Sequence, residues 1–143
     1  MLISLILWAT YNDSGEYLFV EKAAWIPAID VNYHMALDGL SLPLVVLTTL
    51  LTTLSLWYSA RTIHHRVKEF FALFLLLEMG MLGVFVSLDL ILFYLFWETM
   101  LLPIFFLIGL FGHNTNKQFM SMKFTLYTIF GSLLMLLAIL YLG

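Results

Sequence analysis

The chain has 143 residues, of which 63% are hydrophobic and only 10% charged, with a net charge of −3 and a mean hydropathy of +1.02. Soluble domains average about 25% charged residues, so this composition belongs to an integral membrane protein. The chain contains no cysteine, which excludes disulfides, thiolate metal centres, iron–sulfur ligation and cysteine nucleophiles. A sequence pI near 5.7 and the lack of a basic patch or a glycine-rich phosphate loop exclude nucleic-acid and nucleotide binding.

In chain order, the opening apolar run Leu2–Ala9 has no preceding Lys or Arg and is broken at Asn12-Asp13. It is no signal peptide, and it is too short to span a bilayer. It reads as a surface segment or as the end of a helix that begins earlier. From Asn12 to Asp38 the chain turns polar, and Asp13, Glu16, Glu21, Asp30 and Asp38 outnumber the cation Lys22. Residues 1–39 are therefore expected to be a helix remnant followed by an acidic, water-exposed loop. Residues 40–143 are expected to be membrane-spanning.

The first span runs from about Leu40 to Ala60, with Ser41 and Pro43 at its entry, where a cap and a proline are both tolerated. Trp57 and Tyr58 suit the aromatic belt at its far end. The basic connection Arg61–Glu69 follows, and then a second span, Phe70–Leu88, that contains Glu78. Gly80 and Gly83 would allow a close helix contact there. Asp89 marks the turn into the third span, Leu90–Phe111, and is placed to cap it. The polar loop Gly112–Gln118 leads to a fourth span, Phe119–Leu142, with Lys123 near its start. The fold class is all-α, a polytopic transmembrane bundle of four spans. Arg61, Arg66 and Lys68 lie in one connection and Lys117 in another, an even number of spans apart, so both face the cytoplasm, opposite the acidic segment.

Glu98 carries the only formal charge within LILFYLFWETMLLPIFFLIGLF, Leu90–Phe111. At a rise of about 1.5 Å per residue it lies roughly 13 Å from Asp89, near the middle of a core of about 30 Å. Placing an acid there costs about 2.5–3.5 kcal/mol, so the residue is expected to face protein or water as a proton or ion site. The plainer reading is a protonated carboxyl that hydrogen-bonds a neighbouring helix. Glu78, about 12 Å from the opposite face, differs from it in depth by only about 5 Å, so the two carboxyls are candidates to share a proton network, unless Glu78 makes a helix-contact hydrogen bond or lies on a different rotational face. Tyr94, one turn before Glu98, either donates to it or simply packs. Pro103 removes the donor to the Thr99 carbonyl, which frees it to hold water beside Glu98, or else serves packing alone. Lys123, about 6 Å deep, either snorkels to the interface or tunes the carboxylates. His34, His64, His65 and His113 show no paired ligand spacing, so no metal or cofactor site is expected in this chain.

Three stretches carry a specific resemblance: HMALDGLSLPLVVLTTLL (34–51), LGVFVSLDLILFYLFWETMLLPIFFLIGLFG (82–112) and MKFTLYTIFGSLLMLLAIL (122–140). They resemble the subunit M/chain 4 family of NADH-quinone oxidoreductases, respiratory complex I. The resemblance implies an antiporter-like helical bundle that moves protons while partner subunits, holding NADH, FMN, iron–sulfur clusters and quinone, carry the electrons. It implies that Glu98, the glutamate of the FWE motif, belongs to the proton path. It also implies that Lys123 opens the helix carrying the family's KF-x-x-YT pattern. Against the family the sequence stops before the broken helix whose lysine partners that glutamate, and it is expected to be a truncated product or a partial piece. The implied partners are the other membrane subunits and the lipid bilayer, in a bacterial inner membrane. A subunit of a multi-component sodium/proton antiporter and a non-transporting membrane piece are the alternatives.

Overall fold

The computed structural model describes residues 1–11, 18–26, 28 and 31–142. It contains the helices α1 (Leu2–Thr10), α2 (Ser41–Thr62), α3 (Val67–Val86), α4 (Leu90–Phe111) and α5 (Lys117–Leu142), with strands β1 (Leu18–Ile26) and β2 (Val31–Leu37) between α1 and α2. The last four helices are each long and apolar enough to cross a membrane, so the protein is an integral, multi-pass membrane protein. They follow one another as antiparallel neighbours, α2 on α3, α3 on α4 and α4 on α5, as short connections require.

The acidic segment is not a plain loop. Strands β1 and β2 pair antiparallel, Glu21 opposite Met35 and Lys22 opposite His34. The Leu88 N–H donates to the His34 carbonyl at 3.0 Å, and Met35 bridges Ser87. The hairpin thus sits on the α3–α4 turn, at the same end of the bundle as the start of α2. This agrees with the expectation that these two connections share one face. Asp13, Glu16 and Asp30 lie outside the described residues.

The first span is capped by Asp38 and not, as expected, at Ser41. The Asp38 carboxylate accepts from the Ser41 N–H at 2.6 Å and the Leu40 N–H at 3.2 Å, satisfying donors that a helix start leaves without partners. The Ser41 backbone bond is also the main reason its carboxyl lies below the usual carboxylate range. Pro43 stands in the first turn, where a missing N–H is tolerated. Asp89 caps α4 in the same manner, accepting from Ile91 and Leu92 N–H groups at 2.9 and 3.3 Å.

Leu37, Leu42 and Val45 form a buried cluster packed by Leu7, Tyr11, Leu82, Phe85 and Val86, where the hairpin, α1, α2 and α3 meet. One turn further along α2, Thr48, Thr49 and Thr52 are buried, and Thr49 shares a 2.7 Å hydrogen bond with Ser4 of α1. Such small hydroxyl side chains let helices approach within an apolar medium and bond across the contact. The α3–α4 contact rests on glycine as the sequence suggests. A Cβ on Gly80 would lie 2.7 Å from Met100 Cγ, and one on Gly83 would overlap the Phe96 ring. At the other end Phe70 meets Phe111 edge-on, ring centres 5.0 Å apart.

Candidate functional site

The α4–α5 interface is held by polar pins spaced along the two helices. The Trp97 indole N–H donates to the Ser132 hydroxyl at 3.2 Å. The Ser121 hydroxyl, 1% exposed, donates to the Phe105 carbonyl at 2.7 Å, and the Lys117 ammonium to the Leu110 carbonyl at 2.8 Å. Ser121 also meets the bare backbone of Gly109, where a Cβ would lie 3.5 Å from its hydroxyl. These contacts exist because serine and glycine are short enough to bring the two backbones together.

Between the first two pins the helices part around a groove of about 460 Å³, lined by Leu95, Glu98, Thr99, Leu101, Leu102 and Phe105 of α4 and by Thr125 and Ile129 of α5. Glu98 is half-buried. Its Oε1 and the Thr125 Oγ1 are buried atoms with no hydrogen-bond partner among the described residues. Tyr94, one turn earlier, interacts with the Glu98 carboxyl through its hydroxyl. Pro103 is fully buried within α4, and with no N–H to give it leaves the carbonyl of Thr99, itself a groove residue, without its usual donor. The site therefore brings together Glu98, Tyr94, Thr99 and Thr125. Thr125 carries no charge and sits in a sequence that gives no hint of it. Only its position across from Glu98 singles it out.

Glu78 does not join this site. It stands as far from the α3–α4 turn as Glu98 does, about 13 Å at the helical rise. Depth alone does not make two side chains meet. Gly80 and Gly83 mark the face of α3 that touches α4, and Phe96 and Met100 the corresponding face of α4. At about 100° per residue Glu78 is roughly 160° from Gly80, and Glu98 the same from Phe96. Each carboxyl thus points away from the shared seam, so within these residues they share no direct network. Lys123 is displaced likewise. Ser121 and Thr125 face α4, whereas Lys123 lies between them in sequence on the far side of α5 and is exposed. Around it Leu126, Tyr127 and Phe130 are exposed too, Tyr127 at 83%. Among the described residues, no cluster of three or more His, Cys, Asp or Glu side chains is arranged to hold a metal ion.

Residues 87–142, which carry the groove, match the family model described as NADH:quinone oxidoreductase/Mrp antiporter, TM. The chain is 40% identical over 98% of its length to NADH-ubiquinone oxidoreductase chain 4 of Marchantia polymorpha, covering 28% of that protein. It is 45% identical over 96% of its length to NADH-quinone oxidoreductase subunit M of Rhodobacter capsulatus, covering 26% of that protein. It thus spans about a quarter of the length of the curated relatives it matches. Among solved structures, a chain of the Mrp complex from Dietzia sp. DQ12-45-1b shares the fold, with a TM-score of 0.82 over 95% of this chain and 15% of that one, at 24% identity. Over the stretch it spans, the chain is similar to the subunit M/chain 4 family of NADH-quinone oxidoreductases.

Proposed function

We propose that this chain forms part of a proton-translocating membrane subunit of NADH-quinone oxidoreductase, with Glu98 as the carboxyl that takes up and releases the proton. The observation that carries the reading is the Glu98 carboxyl oxygen, buried near mid-span beside a groove and without a protein partner. A carboxyl so placed has a reason to exchange protons, because one oxygen has no fixed partner while the Tyr94 hydroxyl engages the group from one turn earlier. Electron transfer is assigned to partner subunits holding NADH, FMN, iron–sulfur clusters and quinone, and this chain is assigned no redox centre. Its partners are the other membrane subunits and lipid, and its place is the inner membrane of a bacterial cell, as the Rhodobacter capsulatus relative suggests.

Glutamine keeps the shape and hydrogen-bonding reach of Glu98 but cannot carry a proton. In the complete subunit, assembled in its complex, Glu98→Gln is expected to lower NADH-driven acidification of inverted vesicles to about a tenth or less. Electron transfer to an artificial acceptor that bypasses the membrane arm should be unchanged. Normal acidification by an assembled Glu98→Gln complex refutes the reading. A sodium/proton antiporter subunit is the second reading, favoured by the fold shared with the Mrp complex. Sodium-driven proton movement without NADH would establish that alternative.

A further inference from the structure

Threonine on a helix ordinarily donates its hydroxyl to a carbonyl one turn back, which disposes of the donor without any outside partner. Thr48, Thr52, Thr53, Thr99 and Thr128 all do so here, at 2.7–2.8 Å. Thr10, Thr49 and Thr62 make the same kind of bond at 2.9–3.2 Å. Among the described residues, Thr125 alone of the helical threonines does not. Its hydroxyl is buried without a partner and lines the groove that holds the unpartnered oxygen of Glu98. The third polar group on this groove is Thr99, whose carbonyl receives no N–H from Pro103.

We propose that Thr125 is a positioning residue for Glu98, its hydroxyl and the Thr99 carbonyl holding water against the Glu98 carboxyl so that the groove between α4 and α5 is a hydrated proton-exchange site. A buried polar atom left unmatched is costly, and two of them facing one groove are satisfied together by a shared water. The groove, at about 460 Å³, is many times the roughly 30 Å³ that a water occupies, and a buried water typically makes about three hydrogen bonds. Carboxyl, hydroxyl and carbonyl supply that number. The Trp97–Ser132 and Ser121–Phe105 bonds bracket the groove and fix the spacing of the helices around it. The water site rests on this geometry, whereas its use in proton exchange rests on the proposed role of Glu98.

The test is high-resolution cryo-electron microscopy of the assembled membrane protein, comparing wild type, Thr125→Val and Thr125→Ser. Valine keeps the shape and removes the hydroxyl. Serine restores it. A density peak about 2.7–3.0 Å from both Glu98 Oε1 and Thr125 Oγ1 is expected in wild type and in Thr125→Ser, and is lost in Thr125→Val. Proton translocation should fall about fivefold in Thr125→Val and recover in Thr125→Ser. The proposal is overturned by wild-type density without such a peak, by a peak that survives in Thr125→Val, or by full translocation in that variant. A peak at metal-to-oxygen distances of about 2.0–2.6 Å also overturns it, as the mark of a bound cation. If Thr125→Val does not assemble, the wild-type and Thr125→Ser maps still decide. A wild-type water together with normal pumping by Glu98→Gln would refute the function proposed for Glu98 and leave the water site standing.

Discussion

Adding one methyl group at Gly83 should do more damage than adding the same group one turn earlier. A Cβ on Gly83 would overlap Cγ, Cδ1 and Cε1 of the Phe96 ring, a rigid plane held between α3 and α4. Carbon atoms rest at about 3.5–4.0 Å, so Gly83→Ala forces the two helices apart by about 1 Å or more, or turns the ring out of its place. Overpacking of this kind costs about 1–3 kcal/mol. At Gly80 the added carbon meets Met100 Cγ at 2.7 Å, while backbone atoms stay at 3.5 Å. A thioether chain swings aside, so Gly80→Ala should cost less than about 1 kcal/mol. Native-state proteolysis of the protein extracted in mild detergent measures the difference. A loss of 1–3 kcal/mol raises the population of the open, cleavable form by about 5- to 150-fold. Phe96→Leu removes the ring edge, so the Gly83→Ala/Phe96→Leu double mutant should recover about 1 kcal/mol relative to additivity. Equal effects at the two glycines, or a purely additive double mutant, would show that the seam is not packed as described.

Two more expectations concern the hairpin end of the bundle and the orientation of the chain. Asp38→Ala should destabilise the start of α2 by about 1 kcal/mol, read as faster hydrogen exchange at Leu40 and Ser41. Because the Ser41 N–H and its companions hold the Asp38 carboxyl below its ordinary value, its contribution is present in full above the unfolded value and is lost as pH falls through the depressed one. Asp38→Asn should therefore flatten the stability of the wild type at acid pH and leave neutral stability little changed. Finally, single cysteines at His65 and Asn116 in this cysteine-free chain should resist an impermeant thiol reagent added outside intact cells, and one at Glu21 should react. Labelling of 65 or 116 in preference to 21 would invert the topology.

Much of the bundle was legible because apolar length is a strong signal. The third span is found from Leu90 to Phe111 as the sequence indicates, and the first and fourth differ by a residue or two. The second begins at Val67 in place of Phe70, since the helix continues through Lys68 and Glu69 beyond the apolar stretch. Hydropathy marks where lipid contacts a helix, whereas hydrogen bonding decides where the helix starts. The hairpin escaped because its residues mix charged and apolar types without clean alternation, and its register depends on the α3–α4 turn it rests on. The cap escaped because Ser41 offered an obvious hydroxyl, while the group that caps is the Asp38 carboxylate, which accepts from the Ser41 N–H itself from three residues earlier. Glu98 was legible from its isolation in an apolar run. The separation of Glu78 follows the alternative that it lies on a different rotational face, which the helical angle between it and the two glycines expresses and depth does not. Thr125 was not legible, because the lack of a bond to its own helix is visible only in three dimensions.

The bond from the Leu88 N–H to the His34 carbonyl has a consequence in time. During synthesis the hairpin leaves the ribosome before α3 and α4 exist, since domains are built from the N-terminus onward. Until the turn at Ser87–Leu88 arrives, the outer edge of β2 carries backbone groups with no partner, the condition in which a strand edge recruits a neighbouring chain. Insertion of the α3–α4 pair is thus the event that covers this edge at His34 and Met35. A chain arrested before that pair is in the membrane carries an open strand, and one that has passed it carries a bracket locked across the ends of its helices.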